Sequence, residues 1–295
     1  MAKPHWVSKF LTEPWEINSN GDLAFYDFRR DILGRPTPSA RLFRESKRDR
    51  PVALEERLNK LLETPLAKAR KQLAAPGQLP PSDWRTYRAI VLTLFLQGPR
   101  TDAMERKSDE LLSPILDLTD DDVDRLASGF MQKKMLVRLG SSNAAHSLFY
   151  PDGGMFSLPT RDPNCLTGWS WGMAVPLLPS LAFAWVSDSA DCDWLFEQCS
   201  ASQFLRGLSI SGRKASRVVL PPDLATAPSD VVSSGVREYR RDMDAYRRQI
   251  QESRASYLKS LQDKGEHVVL VDPVTQRYGR RPNAETAGSA RRQPV

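Results

Sequence analysis

The sequence predicts an α+β fold that is mainly helical, with a small antiparallel sheet and a long C-terminal helix. Three observations lead to this prediction. Apolar residues recur at helical spacing through much of residues 52–139. Short apolar runs separated by Pro, Gly and Asn between residues 155 and 186 are typical of antiparallel strands. A 3,4 spacing of apolar residues over residues 235–264 favours one long helix near the end of the chain.

Residues 155–186 form the only long region of the chain that is nearly free of charge. A stretch of this kind is expected to be buried, because in water it would expose a large apolar patch. Within it we expect strands at Met155–Leu158, Ala174–Leu178 and Leu181–Val186. Together they predict a small antiparallel sheet that the helices cover.

The N-terminal region is expected to form a β-hairpin. Residues 5–11 alternate in polarity like a short strand, and Asn18–Gly21 has the composition of a turn. Asp22–Phe28 alternates again and would return as the second strand. The following Arg29–Pro51 is rich in Arg and Pro, which indicates an exposed connection.

Helical periodicity begins at Val52. Pro65 lies inside the first helix and should make it bend or restart, because proline lacks the backbone donor. The second helix follows a Pro-Pro-Ser start and has the most apolar face, so we expect it to be the central core helix. The four expected helices are Val52–Ala74, Asp83–Gln97, Thr101–Ile115 and 119–139.

After the apolar stretch the pattern predicts a helix, a strand and then a change of composition. Residues 223–234 are rich in Pro, Ser, Ala and Asp, as linkers are. The last residues, from 276, carry five arginines and one glutamate and are expected to be a disordered tail. The remaining expected elements are a helix at Asp193–Leu208, a strand at Ser216–Leu220 and a strand at His267–Val271. The resulting division is a globular domain at 1–222, the linker, a helix and strand at 235–275, and the basic tail at 276–295.

The expected C-terminal helix over residues 235–264 has arginines on both sides of its apolar seam. Two interpretations are open: the helix docks on its own domain, or it pairs with a second copy as a coiled coil and makes a homodimer. Its arginines could also bind a protein partner or a nucleic acid. The seam residues are Val236, Tyr239, Met243, Tyr246, Ile250 and Tyr257.

Composition excludes several classes of protein. The three cysteines, Cys165, Cys192 and Cys199, are an odd number without a CxxC pair, so neither a disulfide framework nor a zinc site is predicted. The N-terminus lacks an apolar signal region and no run reaches about 18 apolar residues, so we expect a cytoplasmic protein that does not enter the membrane. No Walker loop, GxGxxG or HExxH motif occurs.

Four motifs in order resemble those of the domain of unknown function (DUF) 4238 family, over roughly residues 5–222. They are HWVSKFL near the start, LEERLNKLLETPLAKA in the first helix, FLQGPRTDAMERK after the core helix, and FSLPTRDPN followed by AVPLLPSLAFA. The resemblance implies that the polar members of these motifs are His5, Glu63, Arg100 and Asp162. The chain departs from the family pattern at Trp6, Ser8 and Thr160-Arg161.

The four residues carried over by the resemblance suggest a hydrolase. His5, Glu63 and Asp162 could hold Mg²⁺ or Mn²⁺ for phosphodiester hydrolysis, as in a nuclease, while Arg100 neutralises a phosphate oxygen. Each residue also has a purely structural interpretation. Asp162-Pro163-Asn164 is a good turn, Glu63 could pair with Arg100, and His5 could be a surface histidine. A non-catalytic interaction module that uses the arginine-flanked helix is the alternative function.

Overall fold

The computed structural model of the chain describes residues 7–43, 51–68, 84–93, 96, 108, 110, 112–133, 135–140, 147–158, 172–186 and 215–265. It has an α+β fold in which all strand pairs are antiparallel, which confirms the expected class. The described strands form two four-stranded sheets instead of one.

The strands are β1 (Asp22–Asp27), β2 (Ile32–Pro38), β3 (Met135–Gly140), β4 (Tyr150–Pro151), β5 (Phe156–Leu158), β6 (Gly172–Leu178), β7 (Leu181–Val186) and β8 (Arg217–Val219). The first sheet has the order β2-β1-β8-β4 and the second the order β3-β7-β6-β5. The strands predicted in the apolar stretch, now β5, β6 and β7, are confirmed, as is β8.

The helices are α1 (Lys9–Thr12), α2 (Ser39–Leu42), α3 (Val52–Leu58), α4 (residues 84–93), α5 (Asp120–Lys133), α6 (Pro222–Ala225) and α7 (Ser229–Asp263). Glu13–Trp15 and Ser113–Leu116 are 3₁₀ turns. A π turn, Asn59–Glu63, follows α3, and residues 64–68 continue as helix. No helix in the described ranges combines the length and the apolar character that crossing a bilayer requires.

The N-terminal hairpin prediction is wrong in its first strand. In the described part of the strand expected over residues 5–11, α1 begins at Lys9, and the hairpin partner of β1 is β2, inside the segment expected to be an exposed connection. Val7, Leu11 and Trp15 explain the helix, because they are four residues apart and all are buried. β2 is an edge strand, where proline is tolerated, so its prolines are compatible with a strand.

The helix predicted over residues 119–139 ends early. α5 stops at Lys133, and Met135–Gly140 is a strand that pairs along its whole length with β7. The acidic first turn predicted for this helix is present at Asp120, Asp121 and Asp122. The apolar run after Lys133 fits a strand as well as a helix, and pairing with β7 decides between them.

The π turn before Pro65 moves the helix from one part of the core to another. Leu58 and Leu61, with their neighbours in α3, pack in a cluster that includes Leu92. Leu66 packs in a different cluster, with Leu11 and the core of both sheets. A π turn holds about one residue more than an α-turn, so the residues after it lie about 100° away from their α-helical position. The interruption expected at Pro65 therefore takes the form of a change of face.

The main core lies between α1, the first 3₁₀ turn and both sheets. Trp15 is fully buried there, its ring contacts the ring of Tyr150 in an edge arrangement, and its Nε1 donates to the carbonyl oxygen of Leu148 at 2.8 Å. From the second sheet, Val175 and Phe183 contribute to the same cluster. The burial predicted for the apolar stretch is thus confirmed at its described strand residues.

Helix α7 begins at Ser229, inside the segment expected to be a linker. Val232 and Val236 are buried in a cluster with Tyr26 of β1 and with Phe149. The first part of α7 therefore packs on the first sheet of its own chain. The helix predicted at 193–208, the strand at 267–271, the tail at 276–295 and most of the helix at 101–115 lie outside the described residues.

Candidate functional site

Glu63 is the predicted site residue that the structure describes. It is the last residue of the π turn and is half-buried. Its Oε1 accepts a short hydrogen bond from the Oγ of Ser8, a residue that is 3% exposed and immediately precedes α1. The bond joins positions 55 residues apart in the sequence. It ties the N-terminal motif to the motif of the first helix.

The other three predicted site residues, His5, Arg100 and Asp162, lie outside the described residues. The contact between Ser8 and Glu63 does bring two of the family-like motifs together. The convergence of all four polar residues stays a prediction.

The proposed metal site can be compared with one described ligand. A half-buried carboxylate such as that of Glu63 is a suitable ligand for Mg²⁺ or Mn²⁺, which prefer oxygen donors. Among the residues that the structure describes, no group of three or more His, Cys, Asp and Glu side chains could hold a metal ion. A metal at Glu63 would therefore depend on His5 and Asp162 for its other protein ligands.

The sequence did not predict that Ser8 contacts Glu63. In the sequence it stands out only as a departure from the family pattern, where a proline is usual. A proline could not donate a hydrogen bond, whereas the Ser8 hydroxyl does. Its signal in the sequence was the helical spacing of Val7 and Leu11, which predicts that the intervening Ser8 begins a helix and faces another element.

A second polar cluster lies beside the first sheet, where β1 ends and β8 begins. Asp152 accepts hydrogen bonds from the backbone N–H of Ser216 at 3.0 Å, from the Ser216 hydroxyl at 2.5 Å and from the N–H of Arg217 at 3.1 Å. The Nε of Arg217 lies 3.4 Å from Oδ2 of Asp27. These bonds fix the turn after β4 to the start of β8.

Burial raises the pKa of Asp152, and the hydrogen bonds from Ser216 and Arg217 oppose that shift. Asp152 as a whole residue is 8% exposed. The hydrogen bonds that it accepts from two backbone N–H groups and a hydroxyl make Asp152 an anchor for the start of β8. The Asp-Gly-Gly turn after Pro151 was the signal in the sequence that could have located it.

A third group of polar contacts surrounds the loop between β1 and β2. The hydroxyl of Tyr26 donates to Oδ1 of Asp31 at 2.5 Å, and burial together with Asp31 raises the pKa of Tyr26 to about 12. Arg237 of α7 lies 3.5 Å from Oδ2 of Asp31. The guanidinium of Arg240 lies 3.8 Å from the centroid of the Phe28 ring.

The sequence also contains a GxSxG pattern from Gly168 to Gly172. This pattern marks a nucleophilic serine where the serine leaves a strand and opens a helix. Gly172 instead begins β6, so the pattern is followed by a strand. The context required for a nucleophile elbow is therefore not met.

Comparisons with known proteins add no identity to these observations. No protein-family model, no curated protein and no solved structure matches the chain. The resemblance to the DUF 4238 family therefore stays a prediction from the motifs.

Proposed function

We propose that the chain belongs to the DUF 4238 family and, separately, that it is a metal-assisted hydrolase, which cleaves phosphodiester bonds at a site formed by His5, Glu63, Arg100 and Asp162. The observation that carries this proposal is the hydrogen bond from Ser8 to Glu63. It supports the proposal because it joins two of the four motifs on which the site depends.

Chain geometry extends this support to the first site residue. His5 and Ser8 are three residues apart, and three residues span at most about 11 Å even when fully extended. Since Ser8 contacts Glu63, the covalent chain limits the separation between His5 and Glu63. A π turn at the position of Glu63 adds weight, because π turns inside helices are frequent at functional sites.

The four side chains have separate roles in the proposed reaction. Glu63 and Asp162 supply carboxylate oxygens and His5 an imidazole nitrogen, and together they would hold Mg²⁺ or Mn²⁺. When bound, such an ion polarises a phosphoryl oxygen and lowers the pKa of a water molecule. Arg100 binds a second phosphate oxygen through its guanidinium group. Ser8 fixes the carboxylate of Glu63 and is a positioning residue.

The test is cleavage of labelled DNA and RNA, single- and double-stranded, by the purified full chain with Mg²⁺ or Mn²⁺. Glu63→Gln and Asp162→Ala should lower the cleavage rate by at least about 100-fold, because each removes a ligand charge. Glu56→Gln is the matched control, since Glu56 is an exposed carboxylate on the same helix, and it should cleave like the wild type.

Two results would contradict the proposal. One is an absence of cleavage together with an absence of any Mn²⁺-dependent rise in melting temperature, since a bound ion stabilises the folded state. The other is cleavage that Glu63→Gln and Asp162→Ala leave unchanged, because a contaminating nuclease would then be responsible.

A non-catalytic interaction module is the second candidate function. Arg237 and Arg241 of α7 favour it, because 55% and 74% of their side-chain surfaces are exposed although each lies near an aspartate. Pairing of α7 with a second copy would have to leave out Val236, which packs on its own sheet.

Because the three cysteines form no CxxC pair, we also propose that the protein works in the reducing cytoplasm.

A further inference from the structure

Arginines from three separate parts of the chain meet around the loop between β1 and β2, residues 28–31. We call this loop and its arginines the arginine tip. No lysine is among the cations that make the contacts described below. The members are Arg29 and Arg30 of the loop, Arg217 of β8, and Arg237 and Arg240 of α7.

Three of these arginines are held in place by the fold. Arg217 pairs with Asp27 across the β1–β8 ladder, and their side chains form an ion pair. Arg237 reaches Asp31, as described above. Arg240 lies over an aromatic ring of the loop and has Asp244 at 3.5 Å on its own helix. Each of the three therefore has a carboxylate partner that offsets its charge.

Within the part of the chain that the structure describes, the other two arginines have no such partner. Arg29 and Arg30 are exposed, and among the described residues no carboxylate lies within ion-pair distance of either side chain. The loop therefore presents two guanidinium groups whose charge is not offset. Since Asp27, Asp31 and Asp244 offset the other three guanidinium groups, Arg29 and Arg30 supply the excess positive charge of the tip.

The backbone that carries these two arginines is fixed before any ligand arrives. Oδ1 of Asp27 accepts the backbone N–H groups of Arg29 at 3.0 Å and of Arg30 at 3.2 Å. At the other end of the loop Asp31 has φ of 54° and accepts the hydroxyl of Tyr26. A loop ordered in this way loses little backbone entropy when it binds a partner.

We propose that the arginine tip binds the sugar-phosphate backbone of a nucleic acid. Guanidinium groups donate two parallel hydrogen bonds to a phosphate, and a nucleic acid presents a closely spaced row of phosphates to neighbouring arginines. The whole chain is basic, with a net charge of +6 and a pI near 9.3. The inference goes beyond the proposed reaction, because it concerns binding and not cleavage.

An anionic membrane fits the arginine tip less well. Amphipathic elements that anchor in a bilayer surface combine basic residues with an apolar face that enters the lipid. In the described part of the hairpin and α7 the large exposed apolar side chains are Ile32 and Val231, and Ile32 alone adjoins the loop. One isoleucine is too little apolar surface for such an anchor.

The experiment is fluorescence anisotropy of the full chain with labelled single-stranded DNA, single-stranded RNA and duplex DNA, each about 30 nucleotides or base pairs long. EDTA is present so that no metal-dependent cleavage occurs. Affinity should fall steeply between about 50 and 200 mM salt. Arg29→Gln and Arg30→Gln should each weaken binding roughly fivefold and lower the slope of log K against log salt by about 0.7 to 0.9. Arg29→Lys should keep most of the affinity, since it keeps the charge.

Arg125→Gln is the matched control. Arg125 is also an exposed arginine, but it lies on α5, which packs in a different cluster, and it pairs with Asp122 at 2.5 Å, so the variant loses the same formal charge away from the tip. It should bind like the wild type. Melting temperatures of all variants should agree, since none of the substituted side chains is buried.

Equal loss of affinity in Arg125→Gln and Arg29→Gln would overturn the inference, because net charge alone would then explain binding. So would binding to phosphatidylserine vesicles or polyglutamate without binding to any nucleic acid. Binding in EDTA that is not followed by cleavage with Mg²⁺ would support the arginine tip and contradict the proposed hydrolase. Cleavage that Arg29→Gln and Arg30→Gln leave unchanged would support the proposed hydrolase and contradict the arginine tip.

Discussion

The ring of Phe25 covers Gly34 across the β1–β2 ladder, where the two residues are direct partners in the register. A Cβ atom at position 34 would overlap the ring. Glycine is therefore required at position 34 by the close approach of an aromatic side chain.

Gly34→Ala should lower the free energy of unfolding by about 1–3 kcal/mol, because the added methyl group forces the Phe25 ring from its place. Urea unfolding of the full chain measures the change. Gly129→Ala is the matched control: nothing lies within 4 Å of a Cβ there, and alanine in the interior of α5 should add about 0.5–1 kcal/mol. The double variant Phe25→Leu/Gly34→Ala should recover part of the loss. If Gly34→Ala costs the same free energy with Phe25 as with Leu at position 25, the Phe25 ring is not what excludes a side chain at position 34.

Removing the hydroxyl of Ser8 should destabilise the fold. Ser8→Ala deletes a hydrogen bond to a carboxylate, which is expected to cost about 1.5–3 kcal/mol at a buried position. Thr64→Ala, which removes a hydroxyl from the exposed residue after Glu63, should cost less than about 0.5 kcal/mol. A double-mutant cycle with Glu63→Ala, which removes the acceptor, isolates the pair, and a coupling free energy near zero would be inconsistent with a direct bond.

Tyr26 should make stability depend on pH in the alkaline range. Its pKa is raised from 10.0 to about 12, so the folded state keeps the phenol proton where the unfolded state loses it. The stabilisation is complete below pH 10 and is lost as the pH rises towards 12, by up to about 1.4 kcal/mol for each pH unit. Tyr26→Phe should unfold with a shallower dependence on pH over this window.

Asp31→Asn provides a second test of the same tyrosine. The carboxylate of Asp31 raises the pKa of Tyr26 both by its hydrogen bond and by its charge. The amide should therefore lower the pKa of Tyr26, so that the pH range over which stability falls becomes narrower. The range should not disappear, because burial also raises the pKa. Identical pH profiles for the wild type, Tyr26→Phe and Asp31→Asn would show that Tyr26 does not titrate as described.

Packing of α7 on the first sheet predicts different effects at neighbouring valines. Val236 is 1% exposed, and Val236→Ala should lower the free energy of unfolding by roughly 1–2.5 kcal/mol because it leaves a cavity against Tyr26. Val231→Ala, on the same helix at 59% exposure, should change it by less than about 0.5 kcal/mol. If Val236→Ala and Val231→Ala have equally small effects, α7 does not pack on the sheet in solution. That result would favour pairing of the seam with a second copy.

The sequence predicts best where one period dominates. The strands β6 and β7 follow from short apolar runs bounded by a Pro-Ser turn, and the start of α5 follows from Thr119 and three aspartates. The prediction of a strand where α1 lies is wrong because the seven residues HWVSKFL fit both periods, and only burial of Val7 and Leu11 against the sheets separates them.

The contacts of the site were harder to predict than the elements. Glu63 was identified through a motif, but its partner Ser8 is distant in the sequence, and no periodic pattern encodes a contact between separate elements. The arginine tip was missed for the same reason. Arg29 and Arg30 were assigned to a connection, and their neighbourhood with Arg237 depends on where α7 packs.

The π turn also makes the protein sensitive to chain length at one short place. Leu58 and Leu66 serve different clusters only because one extra residue is accommodated between them. A deletion within residues 59–63 would restore regular helix and rotate everything after it by about 100°. Leu66 and Glu63 would then point away from Leu11 and Ser8. The length of this segment therefore fixes the rotation of the helix after the π turn relative to α3.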